Sequence, residues 1–179
     1  MTFIRSERPP DTAAREALLD VAYGAGRFIK PSQRLREGRE AAVALVATEQ
    51  GRLVGSVRLW PVAAGASQSA LLLGPLAVHP DCRRRGIGAA LMRRAIRAAR
   101  DAGHAAVLLV GDAAYYARFG FTAAKTTALK MPGPFDPARL LALELVPGAL
   151  DRAHGLVRAV APRRSARRVA ADTAVAKAA

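Results

Sequence analysis

The chain has 179 residues, 51% of them apolar, enough for one domain with a core of its own. Lysine and arginine number 28 against 14 acids, a net charge of +14 that brings nucleic acid forward as a partner. Against that, no aromatics interleave with the basic residues and no helix-turn-helix or zinc-finger pattern occurs. The single cysteine, Cys82, excludes an intrachain disulfide and a cysteine-based metal cluster. The first ten residues lack a signal-peptide core and no apolar run reaches membrane-spanning length, so a cytoplasmic location is expected.

Phe3 to Arg5 reads as a first strand and Pro10 to Ala22 as a helix, opened by proline and acid. A second, charged helical segment is expected around Lys30 to Arg39. Ala42 to Thr48 and Leu53 to Trp60 read as a strand pair, joined by the hairpin signal Glu49-Gln50-Gly51-Arg52. Pro61 and the small residues from Ala63 to Ser69 predict a loop. Leu71 to Val78 is continuously apolar, as a strand buried on both faces would be. Gly74-Pro75 inside it contradicts a regular ladder and predicts a bulge.

Val78 runs into Arg83-Arg84-Arg85-Gly86-Ile87-Gly88-Ala89, a basic, glycine-spaced loop that opens a helix. The first amides of a helix have no intrahelical acceptor, and Gly86 and Gly88 keep side chains out of an anion's way. On spacing alone this loop reads equally as a turn or as a phosphate cradle. It is neither a P-loop, lacking the Lys-Ser or Lys-Thr, nor a dinucleotide loop, lacking the third glycine. On the helix that follows, Arg93, Arg97 and Arg100 share one face, read as solvated, and Ile87, Leu91, Ala95 and Ala98 the other. Ala105 to Val110 then reads as a buried strand parallel to the preceding one, ended by Gly111-Asp112 and followed by a short helix from Ala113 to Phe119. Leu140 to Val146 reads as the last strand. Residues 1–160 are expected as one domain and 161–179 as a mobile basic tail, in which Arg163, Arg164, Arg167, Arg168 and Lys177 face only Asp172.

Arg83-x-x-Gly86-x-Gly88 after Val78-x-Pro80 resembles the acyl-CoA pyrophosphate loop of the GNAT superfamily of N-acetyltransferases, and Tyr116-Ala117-Arg118-Phe119-Gly120-Phe121 is similar to its Tyr-x-x-x-Gly-Phe signature. The fuller string from Gly111 to Phe121, with the later Gly133-Pro134 and Leu143-Glu144-Leu145-Val146-Pro147-Gly148, looks most like the YhbS-like branch. The resemblance implies a single-domain mixed α/β fold, with a mostly antiparallel sheet, a parted parallel strand pair and flanking helices. It further implies acetyl-CoA as cosubstrate and an unidentified primary amine as acceptor, acetylated by direct attack.

By the same resemblance, the backbone of Leu76, Ala77 and Val78 meets the pantetheine arm; Arg83, Arg84, Arg85, Gly86, Ile87, Gly88 and Ala89 hold the pyrophosphate; and Asp112 stands at a cofactor-contacting position. Tyr116 takes the general-acid position, with Tyr115 beside it as packing. No acid occurs between Leu71 and Val78. Glu49 reads as a solvated turn residue and His79 as turned away from the amine, so a water-mediated proton path is expected. No metal is implied. The reading from a different class is a non-catalytic acyl-CoA sensor, or a polyanion binder acting through the basic tail. Oligomerisation is left open.

Overall fold

A computed structural model describes residues 1–66 and 68–160, so the expected basic tail lies outside the described residues. Strand β1 (Thr2–Ser6) leads through a 3-10 turn at Pro9–Asp11 into helix α1 (Thr12–Tyr23). After a 3-10 turn at Ala25–Ile29, the segment expected as a helix from Lys30 to Arg39 forms only the single-turn helix α2 (Pro31–Arg34), followed by hydrogen-bonded turns. Strands β2 (Val43–Glu49) and β3 (Arg52–Ala64) are an antiparallel hairpin, turned at Gln50 and Gly51 with φ of 48° and 77°, the left-handed pair that a two-residue turn demands.

The loop expected from Ala63 to Ser69 is shorter, because β3 continues to Ala64 and pairs with β4 (Gln68–Val78) along its whole length. Pro61 is tolerated inside β3 because its missing donor faces the gap between two successive neighbours on that edge. β2 ends opposite Leu59, and a later strand takes over at Val62. In β4 the bulge is present: Val57 pairs with Leu76 and Leu59 with Leu73, so Gly74 and Pro75 stand against Arg58 alone. The buried Trp60 indole donates to the Gly74 carbonyl at 2.7 Å and fixes the bulge.

Helix α3 (Ile87–Asp101) crosses over to β5 (Ala106–Val110), which runs parallel to β4. Next come α4 (Ala113–Tyr116), the short β6 (Leu129–Lys130) and β7 (Leu140–Glu144), antiparallel to β5. Leu140 to Val146 is not the last strand. β8 (Gly155–Ala159) follows and pairs with β3 and β6. Only five residues long and with Leu156 exposed, it lacks the apolar run that marks a central strand. The main strand order among the described residues is β1-β2-β3-β4-β5-β7.

Alternation along β4 explains its unbroken apolar run. Leu71 and Leu73 face α3, packing with Leu91, Met92 and Ala95, whereas Ala70 and Leu72 face Leu140, Leu150 and Val157 on the opposite side. Helix α3 buries Ile87, Leu91, Met92, Ala95, Ile96 and Ala99, with Ala98 at the margin and Arg93, Arg97 and Arg100 outward. Each large apolar side chain so buried stabilises the fold by about 1.5–3 kcal/mol. Glu7 is enclosed between Arg15 and Arg58, with Arg58 Nε donating to it at 2.8 Å, which ties β1, α1 and β3 together. No described helix is long and apolar enough to cross a membrane.

Candidate active site

Helix α3 begins at Gly86, whose φ of 79° turns the chain from the loop into the helix. The first helical bond runs from the Ala90 amide to the Gly86 carbonyl at 2.9 Å, so the amides of Ile87, Gly88 and Ala89 precede it and have no acceptor within the helix. A Cβ on Gly86 would meet nothing within 4 Å, and one on Gly88 only the Tyr115 hydroxyl and Val78, both at 3.5 Å. Donors without partners, backbone open to approach and the positive helix end make a cradle of the kind phosphate needs. Arg83, Arg84 and Arg85 are exposed around it. Arg85 is drawn aside to Glu49 at 2.9 Å, while Arg83 and Arg84 form no ion pair among the described residues.

Beside the cradle the sheet opens. Parallel pairing between β4 and β5 is confined to Leu71 with Val107 and Leu72 with Leu108, and beyond the bulge the strands part. The His79 amide donates to the Val54 carbonyl on β3 at 2.8 Å, which fixes the alternation. Ala77 therefore turns its backbone groups toward β3, and Leu76 and Val78 turn theirs to the free edge. The expected backbone contacts narrow to those two residues, because a strand shows only alternate residues to one neighbour. The Leu76 carbonyl already accepts from the Tyr23 hydroxyl of α1.

The parting opens a cavity of about 640 Å³, walled by β4, by β5 with α4, and by the segments around α2 and before β7. Tyr116 lies in its wall, packed at ring-centroid distances of 4.9 Å from Tyr115 and 6.1 Å from Phe121. Gly111 makes room for it, since a Cβ there would stand 2.2 Å from Tyr116 Cε2. Burial pushes the Tyr116 phenol up to about 12. Its hydroxyl makes no hydrogen bond among the described residues. A neutral phenol in a cleft holds one proton that it can donate at neutral pH.

Tyr115, expected only to pack, does pack against Phe119 and under Arg118, yet its hydroxyl lies 3.5 Å from where a Cβ on Gly88 would stand. It joins the cleft to the cradle. Asp112 caps α4, its Oδ1 accepting from the Ala114 amide at 2.9 Å, and lies in the cavity wall. Glu49 is not a solvated turn residue. It ends β2 with its side chain largely covered, and the Thr2 hydroxyl, then Arg85, hold its carboxyl below the ordinary range. His79 is held by Arg52 at 2.7 Å, outside the cavity. Cys82 is buried in the core. Sequence reasoning missed Tyr23, Arg36 and Arg139, which reach the cavity from three separate segments with no motif to mark them.

Residues 40–123 match the family model described as an acetyltransferase (GNAT) domain. The chain is 32% identical over 156 residues to YhbS of Escherichia coli (strain K12), named an uncharacterised N-acetyltransferase, covering 86% of this chain and 93% of that one. Among solved structures it resembles the E. coli YhbS crystal structure in complex with CoA, at 31% identity and a TM-score of 0.77 over 89% of each chain. It also resembles a GNAT family acetyltransferase of Brucella melitensis in complex with acetyl-CoA, at 30% identity and a TM-score of 0.69 over 90% of this chain and 97% of that one.

Proposed function

Because this chain belongs to the GNAT family of N-acetyltransferases, we propose that it binds acetyl-CoA across the cradle and the cleft and transfers the acetyl group to a primary amine, with Tyr116 as general acid. The observation that carries this reading is the Tyr116 phenol: kept neutral by burial, seated by Gly111 in the parting of β4 and β5, and with its hydroxyl uncommitted. The CoA and acetyl-CoA bound by the two solved relatives support the choice of cosubstrate.

Acetyl-CoA, when bound, supplies an acetyl group activated as a thioester, whose carbonyl carbon an amine attacks as the C–S bond breaks. The amides of Ile87, Gly88 and Ala89 hold the pyrophosphate, aided by the free guanidinium groups of Arg83 and Arg84. The free edge of Leu76 and Val78 aligns the pantetheine arm. Tyr116 holds a proton at Oη for the departing thiolate. The acceptor's own proton leaves through water, because both cleft acids, Asp112 and Asp136, accept backbone amides as caps. The protein acts in the cytoplasm on this reading, and the covalent step involves no enzyme-bound acetyl group.

The deciding measurement compares wild type with Tyr116→Phe on any amine that proves to be a substrate. Positioned acid catalysis contributes on the order of a hundredfold, so kcat falls by about that factor while KM for acetyl-CoA stays nearly constant. Full kcat in the variant across the pH range removes Tyr116 from that role.

A further inference from the structure

The cleft carries positive charge that acetyl transfer alone does not call for. Arg36, from the loop after α2, brings its Nη2 to 3.9 Å from where a Cβ on Gly74 would stand, with the Ser32 hydroxyl as its partner there. Its Nε is buried and has no hydrogen-bond partner. Across the cleft Arg139, in the 3-10 turn just before β7, lies at Gly111 beyond the end of β5, its Nε 3.4 Å from that carbonyl. Arg36 reaches the cleft on the β4 side and Arg139 on the β5 side, and both line the same cavity. Neither forms an ion pair among the described residues.

Nearby acids do not pair with them. Asp112 and Asp136 line the same cavity and keep their charge while each caps a helix at 2.9 Å, but neither forms an ion pair with Arg36 or Arg139, and Arg27 is held by Glu16 and Asp20. Lys30 adds a further cation, its Nζ 4.9 Å from the centre of the Tyr23 ring. Burial lowers Arg36 to about 10, so it is charged at neutral pH and lacks a counter-ion. Leaving a covered charge unpaired is unfavourable, and an anion in the cleft relieves that cost. The same field repels ammonium groups, so a lysine side chain or a polyamine is a poor fit for this space.

We propose that the acceptor is a small primary amine that also carries an anionic group, a carboxylate or a phosphate, gripped between Arg36 and Arg139. The inference rests on the acetyl-transfer reading above and names the substrate class of that same cleft. Planar guanidinium groups suit both anions through paired N–H donors. Holding the anion there also brings the amine into a positive field, which lowers the pKa of the amine and favours the neutral form that attacks.

The test uses the full chain and four amines, β-alanine, O-phosphoethanolamine, ethanolamine and spermidine, with release of free CoA thiol as one readout. The second readout, independent of turnover, is calorimetric titration of the two anionic amines into protein saturated with CoA. The proposal expects one anionic amine to exceed ethanolamine and spermidine in kcat/KM by about a hundredfold, and which one prevails separates carboxylate from phosphate. Arg36→Gln raises KM for that amine by at least about tenfold and abolishes its calorimetric binding, while acetyl-CoA affinity is kept and Arg36→Lys restores part of the loss. Should Arg36→Gln fold poorly, Arg139→Gln carries the same expectation.

Ethanolamine or spermidine used as well as the anionic amines, anion binding indifferent to both arginines, or no anion binding at all overturns the proposal. Acetyl-CoA titrated alone keeps the two readings apart. If it fails to bind, the transferase reading falls; if it binds and the anionic preference is absent, only the acceptor assignment falls.

Discussion

The cradle at the start of α3 and the cleft between β4 and β5 adjoin through Tyr115, and both are suited to anions, but they are built by opposite means. The cradle is made of backbone: consecutive amides from Ile87 to Ala89, opened by glycine, with exposed arginines around them. The cleft is made of side chains, Tyr23, Arg36, Tyr116 and Arg139, brought together from distant segments and held by packing. A backbone site is indifferent to which side chains surround it and sensitive to anything that fills it. A side-chain site depends on each neighbour that fixes a rotamer.

The largest effect expected from that contrast follows Gly86→Asp. Aspartate is among the residues that tolerate the left-handed φ of 79°, at a cost of about 1–2 kcal/mol, and its side chain enters open space, so the fold survives; its bulk and charge occupy the cradle and acetyl-CoA binding is lost by calorimetry. Unchanged affinity would place the pyrophosphate elsewhere. Next comes Gly111→Ala, which puts a methyl group 2.2 Å from the Tyr116 ring. The ring must move, so kcat falls on the order of tenfold or more and stability by about 1–3 kcal/mol, while KM for acetyl-CoA holds. A variant with normal kcat would show that the Tyr116 orientation does not matter. The smallest effect belongs to Arg84→Gln, a single exposed charge beside a backbone cradle. Acetyl-CoA Kd rises only about two- to fivefold, and that difference shrinks at high salt. A loss comparable to Gly86→Asp would mean that arginine, not backbone, holds the phosphate.

The pH behaviour separates the regions as well. With the phenol pushed up to about 12, Tyr116 stays protonated through the neutral and moderately alkaline range. An alkaline limb in kcat below about pH 10 therefore belongs to the acceptor or to another group, and Tyr116→Phe leaves its position unchanged.

Contiguity decided what could be read before the chain folded. Arg83 to Ala89 and Tyr116 to Phe121 are short strings whose chemistry depends on local geometry, a helix start and a turn, so their order and spacing carried the fold and the cosubstrate. Gly74-Pro75 announced its bulge because neither residue sustains a regular ladder. By contrast, β8 was illegible, because its five residues gain their place from pairing with β3 and β6 and not from their own pattern. The stretch from Lys30 to Arg39 read as a helix, yet beyond one helical turn its backbone makes only local turns, and Arg36 is turned toward the bulge of a distant strand.

The sequence by itself, through its resemblance to the GNAT superfamily, determined the fold class and which tyrosine lies in the cleft, and it marked the glycine-spaced start of α3, since those signals sit in short contiguous strings. Only the tertiary structure decided that Leu76 and Val78, and not Ala77, face the open edge, that Glu49 is an anchored ion-pair partner, and that two unpaired guanidinium groups share one cleft. Those facts depend on strand register and on side chains far apart in the chain, and no local spacing encodes the distance between such groups.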